Sequence, residues 1–202
     1  LWFGWFGFNA GSALGANGIA VNAFVVTNTA AAAAAISWAL LDWLFNGKPT
    51  MLGTISGAVA GLVAITPAAG FVSAGSAIII GLLASAFCFI AVTFIKHKLG
   101  YDDSLDAFGV HGIGGIWGAL ATGLLASKAV NPMGADGLLY GNSKLLLVQL
   151  GAIVATVVYA LVATFIIYKV IDIVIGMRVA DEDEAVGLDL TQHNERAYTM
   201  LE

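Results

Sequence analysis

The sequence predicts an all-α integral membrane protein, and three observations point to this fold class. The chain has 202 residues, of which 59% are hydrophobic and only 10% are charged, with a mean hydropathy of +0.91. A soluble domain is closer to about 45–50% apolar and about 25% charged. The apolar residues form long runs between short polar joints, as in helices that cross a bilayer. Glycines recur every fourth residue in two of these runs, which is typical of helices that pack closely in lipid.

The first element is a short apolar helix over residues 1–12. Twelve residues make only about 18 Å of helix, whereas a membrane span needs about 20 residues. The chain starts without Met and without a basic segment, so this run is not a signal peptide. We therefore expect a C-terminal piece of a longer protein, beginning inside a membrane helix.

Five complete spans are predicted after this short helix, over residues 18–45, 51–69, 73–95, 107–127 and 145–175. Polar or breaker-rich joints such as NGKPT and KHKLGYDDSLD separate them. The last span would be about 46 Å long, against about 30 Å of hydrocarbon, so it must tilt or project from the bilayer.

The chain is predicted to contain a membrane domain, residues 1–176, and a polar cytoplasmic tail, residues 177–202. Basic residues decide the orientation, because they favour cytoplasmic joints. If every span crosses, one side carries Lys48, Lys96, Lys98, Lys169 and Arg178. The other side carries only Lys128 and Lys144. The first side, and the tail with it, is therefore predicted to be cytoplasmic.

Two classes of function are disfavoured by the sequence. No basic patch with interleaved aromatic residues is present, so we expect no nucleic-acid partner. The chain also lacks CxxC and HExxH spacings, a phosphate-loop glycine motif and a GxSxG elbow. No enzyme activity, catalytic residue, cofactor or metal site is therefore predicted. A membrane enzyme with His111 as base would need a second reactive group at membrane depth, and Asp42 and Asp172 fall near helix ends.

Trp5, Phe8 and Ser12 follow i, i+3, i+7 spacing on the first helix, so they share one face. Aromatic faces attract a desolvating cation by roughly 0.5–2 kcal/mol, and a hydroxyl oxygen can accept a hydrogen bond from it. The stripe therefore fits a cation-binding mouth. Aromatic packing, with the serine bonded to its own backbone, explains the same pattern.

His111 lies in the run DAFGVHGIGGIWGAL, which is otherwise small or apolar apart from Asp106. An ionisable residue within a membrane span is expensive and marks a functional site by default. A histidine satisfied by a neighbouring carbonyl or hydroxyl group is the alternative. Helical spacing predicts that one face carries Ala107, Phe108, His111, Gly114, Gly115 and Gly118. Asp102, Asp103 and Asp106 precede this helix, where the helix dipole favours carboxylates.

Glycines at four-residue spacing occur at Gly53, Gly57 and Gly61 and again at Gly114 and Gly118. Such spacing allows helix backbones to approach closely in lipid. Small side chains would also leave room for a narrow conduit, and the sequence does not separate these two uses.

Several segments together resemble the Amt/Mep family of ammonium transporters. They are FGWFGFNAGS, NGKPTMLG, GLVAITPAAG, DAFGVHGIGG and the tail elements GMRV, GLDL and H.E.AY, and they cover nearly the whole chain in the expected order. The resemblance implies a fold of eleven membrane helices, in which two sets of five form an inverted repeat and a long tilted eleventh helix packs across them. This chain would be the C-terminal half, from the sixth helix onward.

The resemblance also implies roles for individual residues. His111 matches the second of twin pore histidines, and Phe8 matches a stacked phenylalanine that closes the outer mouth and contacts substrate. Ser12 matches the hydroxyl group of the external ammonium site. Trp5 matches a pore-wall aromatic residue, and Thr66 lies near the same pore. The first histidine, the other gate phenylalanine and a recruitment-site tryptophan would precede Leu1, so this piece alone would not complete the conduit.

The function implied is passage of ammonium or methylammonium through an apolar pore in the plasma membrane, with deprotonation near the outer mouth. A homotrimer is implied, together with a tail that helps to dock a PII-type signalling protein. The matching tail residues are Arg178, Gly187, Asp189, His193 and Tyr198. Two alternatives stay open: an ammonium sensor that signals through its tail, and an electroneutral gas channel like the Rh proteins.

Overall fold

The computed structural model describes residues 1–196 and 198, and the regular elements among them are helical. The α-helices are α1 (Trp2–Gly11), α2 (Gly18–Asn46), α3 (Met51–Ile65), α4 (Ala74–Ile90), α5 (Lys96–Leu99), α6 (Ile113–Leu125), α7 (Ser143–Ile175), α8 (Asp181–Val186) and α9 (Leu188–Thr191). A first π turn, Ala91–Ile95, joins α4 to α5, and a second π turn, Phe108–Gly112, leads into α6. A short 3₁₀ helix covers Leu138–Tyr140.

The chain divides into two compact units, Leu1–Val154 and Ala155–Glu202. The first contains α1 to α6 and the start of α7. The second contains the remainder of α7 and the tail helices α8 and α9, and the predicted tail extends past the described residues to position 202.

Four helical stretches among the described residues are long and apolar enough to cross a bilayer: Gly18–Asn46, Ala74–Leu99, Phe108–Leu125 and Ser143–Ile175. Their positions agree with four of the five predicted spans. The exception is α3, which has 15 residues instead of the predicted run 51–69. Pro67 explains the early end, because it has no N–H to donate to the carbonyl oxygen of Val63. The Thr66 N–H bonds to that oxygen instead, at 3.2 Å, and the chain continues in turns to Gly70.

Polar side chains and glycines set the helix ends in the first unit. The side chains of Asn17, Thr50 and Ser73 accept hydrogen bonds from backbone N–H groups at the starts of α2, α3 and α4. Such caps satisfy N–H groups that have no partner inside the helix. Gly47 and Gly100 end α2 and α5 with φ angles of 76° and 65°, a region that glycine adopts at little cost.

The centre of the first unit is α2, which packs against α1, α3 and α4, while α6 packs against α3 and α4. Small residues allow these approaches. A Cβ atom on Gly61 would lie 2.5 Å from the carbonyl oxygen of Ala30, and one on Gly118 would collide with the backbone of Ala64. The predicted use of the glycine spacing for close helix packing is therefore confirmed.

Candidate functional site

Trp5 connects the first helix to the end of α3. Its indole Nε1 donates a hydrogen bond of 2.8 Å to Oγ1 of Thr66, and that hydroxyl group donates to the carbonyl oxygen of Leu62 at 2.8 Å. The indole group is half-buried and packs against a cluster that includes Val63 and Val110. Two of the predicted pore residues, 61 positions apart in the sequence, are thus in direct contact.

Phe8 and Ser12 continue the same stripe along α1. The Phe8 ring meets the Trp5 ring edge to face, with centroids 6.0 Å apart, and 62% of Phe8 is exposed. Oγ of Ser12 donates to the carbonyl oxygen of Phe8 at 2.6 Å. This backbone bond is the one that the packing alternative expects. It uses the hydroxyl proton and leaves an oxygen lone pair for an incoming donor.

His111 lies in the second π turn, and its side chain is exposed. Its neighbours Val110 and Ile113 belong to, or pack against, the same apolar cluster as Trp5. The imidazole group is therefore carried on a backbone segment that is anchored in the cluster touched by Trp5. π turns within helices occur frequently at functional sites.

The predicted common face of the His111 helix is wrong in part. Gly114 and Gly118 are buried against α3, whereas Phe108 and His111 are exposed. The π turn is the reason, because its extra residue breaks the 3.6-residue count between positions before and after it. A Cβ atom on Gly115 would meet no other atom within 4 Å, and His111 is exposed.

The three aspartates before this helix have distinct roles. Only the role of Asp103 follows from the argument that a helix dipole favours carboxylates at the N-terminus. Asp103 accepts hydrogen bonds from the backbone N–H groups of Ala107, Phe108 and Gly109, at 2.8–3.3 Å. Asp106 forms an ion pair of 2.7 Å with Lys96, and Asp102 accepts only from Ser104 among the bonds seen in the described residues. The contact between Lys96 and Asp106 has no local sequence signature.

Asp42 is a buried carboxylate whose environment the sequence did not indicate. It is 4% exposed and accepts hydrogen bonds from the N–H and hydroxyl groups of Thr50 and from the side-chain amide of Asn46. These bonds tie the end of α2 to the cap of α3. The residue therefore stabilises the NGKPT joint.

The tail residues lie in the second unit. Nη2 of Arg178 bonds to Oε2 of Glu184 at 3.0 Å, and Gly187 has a φ of 113° between α8 and α9. Asp189 lies in the first turn of α9, and its carbonyl oxygen accepts a hydrogen bond from the N–H of Glu195. His193 and Tyr198 are exposed.

The model of the Ammonium Transporter Family matches residues 1–198. The chain belongs to the ammonium transporter family. Among curated relatives, it is 57% identical over 198 residues to the ammonium transporter of Bacillus subtilis, covering 98% of this chain and 49% of that protein. It is 56% identical over 200 residues to ammonium transporter Amt1 of Archaeoglobus fulgidus, covering 98% of this chain and 50% of that protein.

Solved structures of the family share the architecture. The crystal structure of Saccharomyces cerevisiae Mep2 superposes with a TM-score of 0.85 at 36% identity, covering 90% of this chain and 42% of that one. A protein described as a sensor Amt protein superposes with a TM-score of 0.84 at 30% identity, covering 95% of this chain and 46% of that one.

The chain is thus a multi-pass membrane protein with part of the Amt/Mep fold, and it spans about half the length of the curated relatives it matches.

Proposed function

We propose that this chain forms one wall of a conduit that passes ammonia across the membrane, with ammonium giving up its proton near the outer mouth. The observation that carries the proposal is the shared anchoring of two elements. Trp5 bonds to Thr66 and packs against the cluster that holds Val110, the neighbour of His111. Membership of the ammonium transporter family supports ammonium or methylammonium as the substrate.

The outer mouth in this proposal consists of Phe8 and Ser12. The exposed Phe8 ring offers a face to a cation, and the Ser12 oxygen offers a lone pair. Aromatic attraction of roughly 0.5–2 kcal/mol is enough to concentrate ammonium there but not to carry it through the bilayer.

In this proposal the path inward is apolar. An ion entering such surroundings loses tens of kcal/mol of hydration in the idealised limit, whereas a neutral amine loses a few. Loss of the proton at the mouth therefore lowers the barrier. In this proposal the released proton follows by a separate route that involves the pore histidines, so transport carries net charge. A neutral imidazole group at His111 has one donor and one acceptor, so it can exchange hydrogen bonds with ammonia along the way.

The test uses the full-length protein in cells that lack their own ammonium uptake. Replacement of the pore imidazole, His111→Ala, is expected to abolish methylammonium uptake or alter its selectivity. His97→Ala is the matched control, because His97 is exposed on the short helix α5. Uptake and selectivity that are equal in both variants would contradict the role of His111.

An ammonium sensor is the second candidate, because the chain superposes on a sensor Amt protein. Deletion of residues 180–202 separates the two functions. A transporter keeps substantial uptake without the tail, whereas a sensor loses its downstream response and any residual uptake is immaterial.

Assembly and regulation follow from the same proposal. We expect a homotrimer in the plasma membrane, with the tail on the cytoplasmic side and available to a PII-type signalling protein. The basic residues at the joints support this orientation. The bond between Arg178 and Glu184 and the positive φ of Gly187 give the tail a folded shape that a partner could recognise.

A further inference from the structure

A lysine and two aspartates connect the start of α5 to the segment that precedes the His111 helix. Nζ of Lys96 donates to the carbonyl oxygen of Asp103 at 2.6 Å and to Oδ1 of Asp106 at 2.7 Å. The side chains of Lys96 and Asp106 are partly shielded, at 23% and 29% exposed. We refer to Lys96, Asp103 and Asp106 as the Lys96 clasp.

The clasp holds an unusual backbone conformation. Asp106 has a φ of 55°, a left-handed value that residues other than glycine adopt rarely. Its N–H bonds to the carbonyl oxygen of Asp103 at 3.1 Å, and its own carbonyl oxygen accepts the N–H of Val110 at 2.9 Å. The residue next to His111 is therefore bonded directly to the strained residue that Lys96 holds.

The second π turn is restrained from two further directions. The Asp103 carboxylate accepts the N–H groups at its start, and the Tyr101 ring meets Phe108 edge to face with centroids 6.0 Å apart. Gly109 lies against Val92 of the first π turn, where a Cβ atom would be 2.6 Å from Cγ2 of Val92. The two π turns and the clasp thus form one packed assembly around the backbone of His111.

We propose that Lys96 is a positioning residue for His111, because its ammonium group holds Asp106 and Asp103 in the arrangement that keeps the second π turn in register. If the π turn relaxed to α-helix, that turn would contain one residue fewer. The imidazole group would then rotate by about 100° relative to α6. The inference rests on the proposed function, since the orientation of His111 affects transport only if His111 lines the conduit. Lys96 itself touches no substrate in this scheme.

The direct test measures the position of side chain 111 without using transport. A full-length protein carrying His111→Cys, with Cys88→Ala and any other native cysteines replaced, is labelled in membranes with a small charged methanethiosulfonate reagent. Adding Lys96→Met is expected to change the labelling rate about tenfold, because a thiol's reactivity follows its access and surroundings. Lys96→Arg is expected to restore the original rate, because it also donates hydrogen bonds to oxygen acceptors.

Two controls keep this result decisive. Lys98→Met removes the same charge from an exposed position two residues away and should leave the labelling rate unchanged. If Lys96→Met does not reach the membrane, Asp106→Asn replaces it, because asparagine tolerates positive φ while losing the ion pair. An unchanged labelling rate in the variant used, or an equal change in Lys98→Met, would overturn the proposal.

Transport kinetics separate positioning from substrate capture. With the native histidine, Lys96→Met is expected to lower the maximal methylammonium uptake about tenfold and to leave the apparent KM within about twofold, because Phe8 and Ser12 are untouched. A change in KM alone would contradict the positioning role. If His111→Ala leaves uptake unchanged, the proposed function fails, while the labelling result still decides whether Lys96 sets the position of side chain 111.

Discussion

Trp5 and Thr66 are joined by a hydrogen bond of 2.8 Å, the indole N–H donating to the threonine hydroxyl group. The same hydroxyl group donates to the carbonyl oxygen of Leu62, so Thr66 both accepts from α1 and donates to α3. This arrangement fixes the aromatic stripe of α1 against the helix that α6 also contacts. Loss of the hydrogen bond between Trp5 and Thr66 should therefore lower both the stability of the protein and its transport activity.

Replacing the threonine by an isosteric apolar residue, Thr66→Val, leaves the half-buried Trp5 N–H without its acceptor. An unsatisfied buried donor costs about 1–3 kcal/mol. We expect the thermal unfolding midpoint of the detergent-solubilised full-length protein to fall, together with uptake. Thr54→Val is the control, because the Thr54 hydroxyl group bonds locally, to the carbonyl oxygen of the cap residue Thr50. Equal midpoints for the two variants would show that the indole bond contributes nothing.

The contact between Gly81 and Ala30 offers a test of close helix packing. A Cβ atom on Gly81 would collide with the Ala30 carbonyl group and lie 3.0 Å from its Cα. Gly81→Ala should destabilise the protein by about 1–3 kcal/mol through overpacking, despite the higher helix propensity of alanine. Gly75→Ala, on the same helix, places its methyl group no nearer than 3.8 Å to Oγ of Ser73 and should be harmless. Denaturation in detergent compares the two, and a harmless Gly81→Ala would refute tight contact between α2 and α4.

Asp103 is the capping residue for the His111 helix. Asp103→Ala removes the acceptor for three backbone N–H groups and should cost about 1–2 kcal/mol, as the loss of a helix cap does. Faster hydrogen exchange at Ala107, Phe108 and Gly109, followed by mass spectrometry, is the specific signature. Asp102→Ala, one residue earlier, should leave these amides protected. Unaltered exchange in Asp103→Ala would mean that the cap is dispensable.

The membrane helices could be predicted because their signals are local. Apolar runs and their capping residues placed α2 within one residue of its observed end, and glycine spacing predicted the faces that approach each other. The end of α3 was missed because the loss of one N–H at Pro67 acts four residues earlier, at Val63.

The geometry of the candidate site was harder to predict from the sequence, since it depends on contacts between residues that are far apart in the chain. Helical spacing brings Trp5 close to Phe8, but no pattern indicates that the indole group reaches Thr66. Asp103 and Asp106 accept hydrogen bonds from the start of the π turn at His111, and Lys96 pairs with Asp106. The burial of Asp42 depends on the joint that folds over it. Such tertiary contacts override local propensity.

The central claim, that His111 helps ammonia cross after ammonium loses its proton, is tested most directly by current in proteoliposomes of the full-length protein. Ammonium pulses on a solid-supported membrane are expected to evoke a transient current that His111→Ala abolishes or strongly reduces, while His97→Ala leaves it intact. A current of equal size in all three proteins would contradict the claim. Flux of methylammonium without any current would instead indicate an electroneutral gas channel.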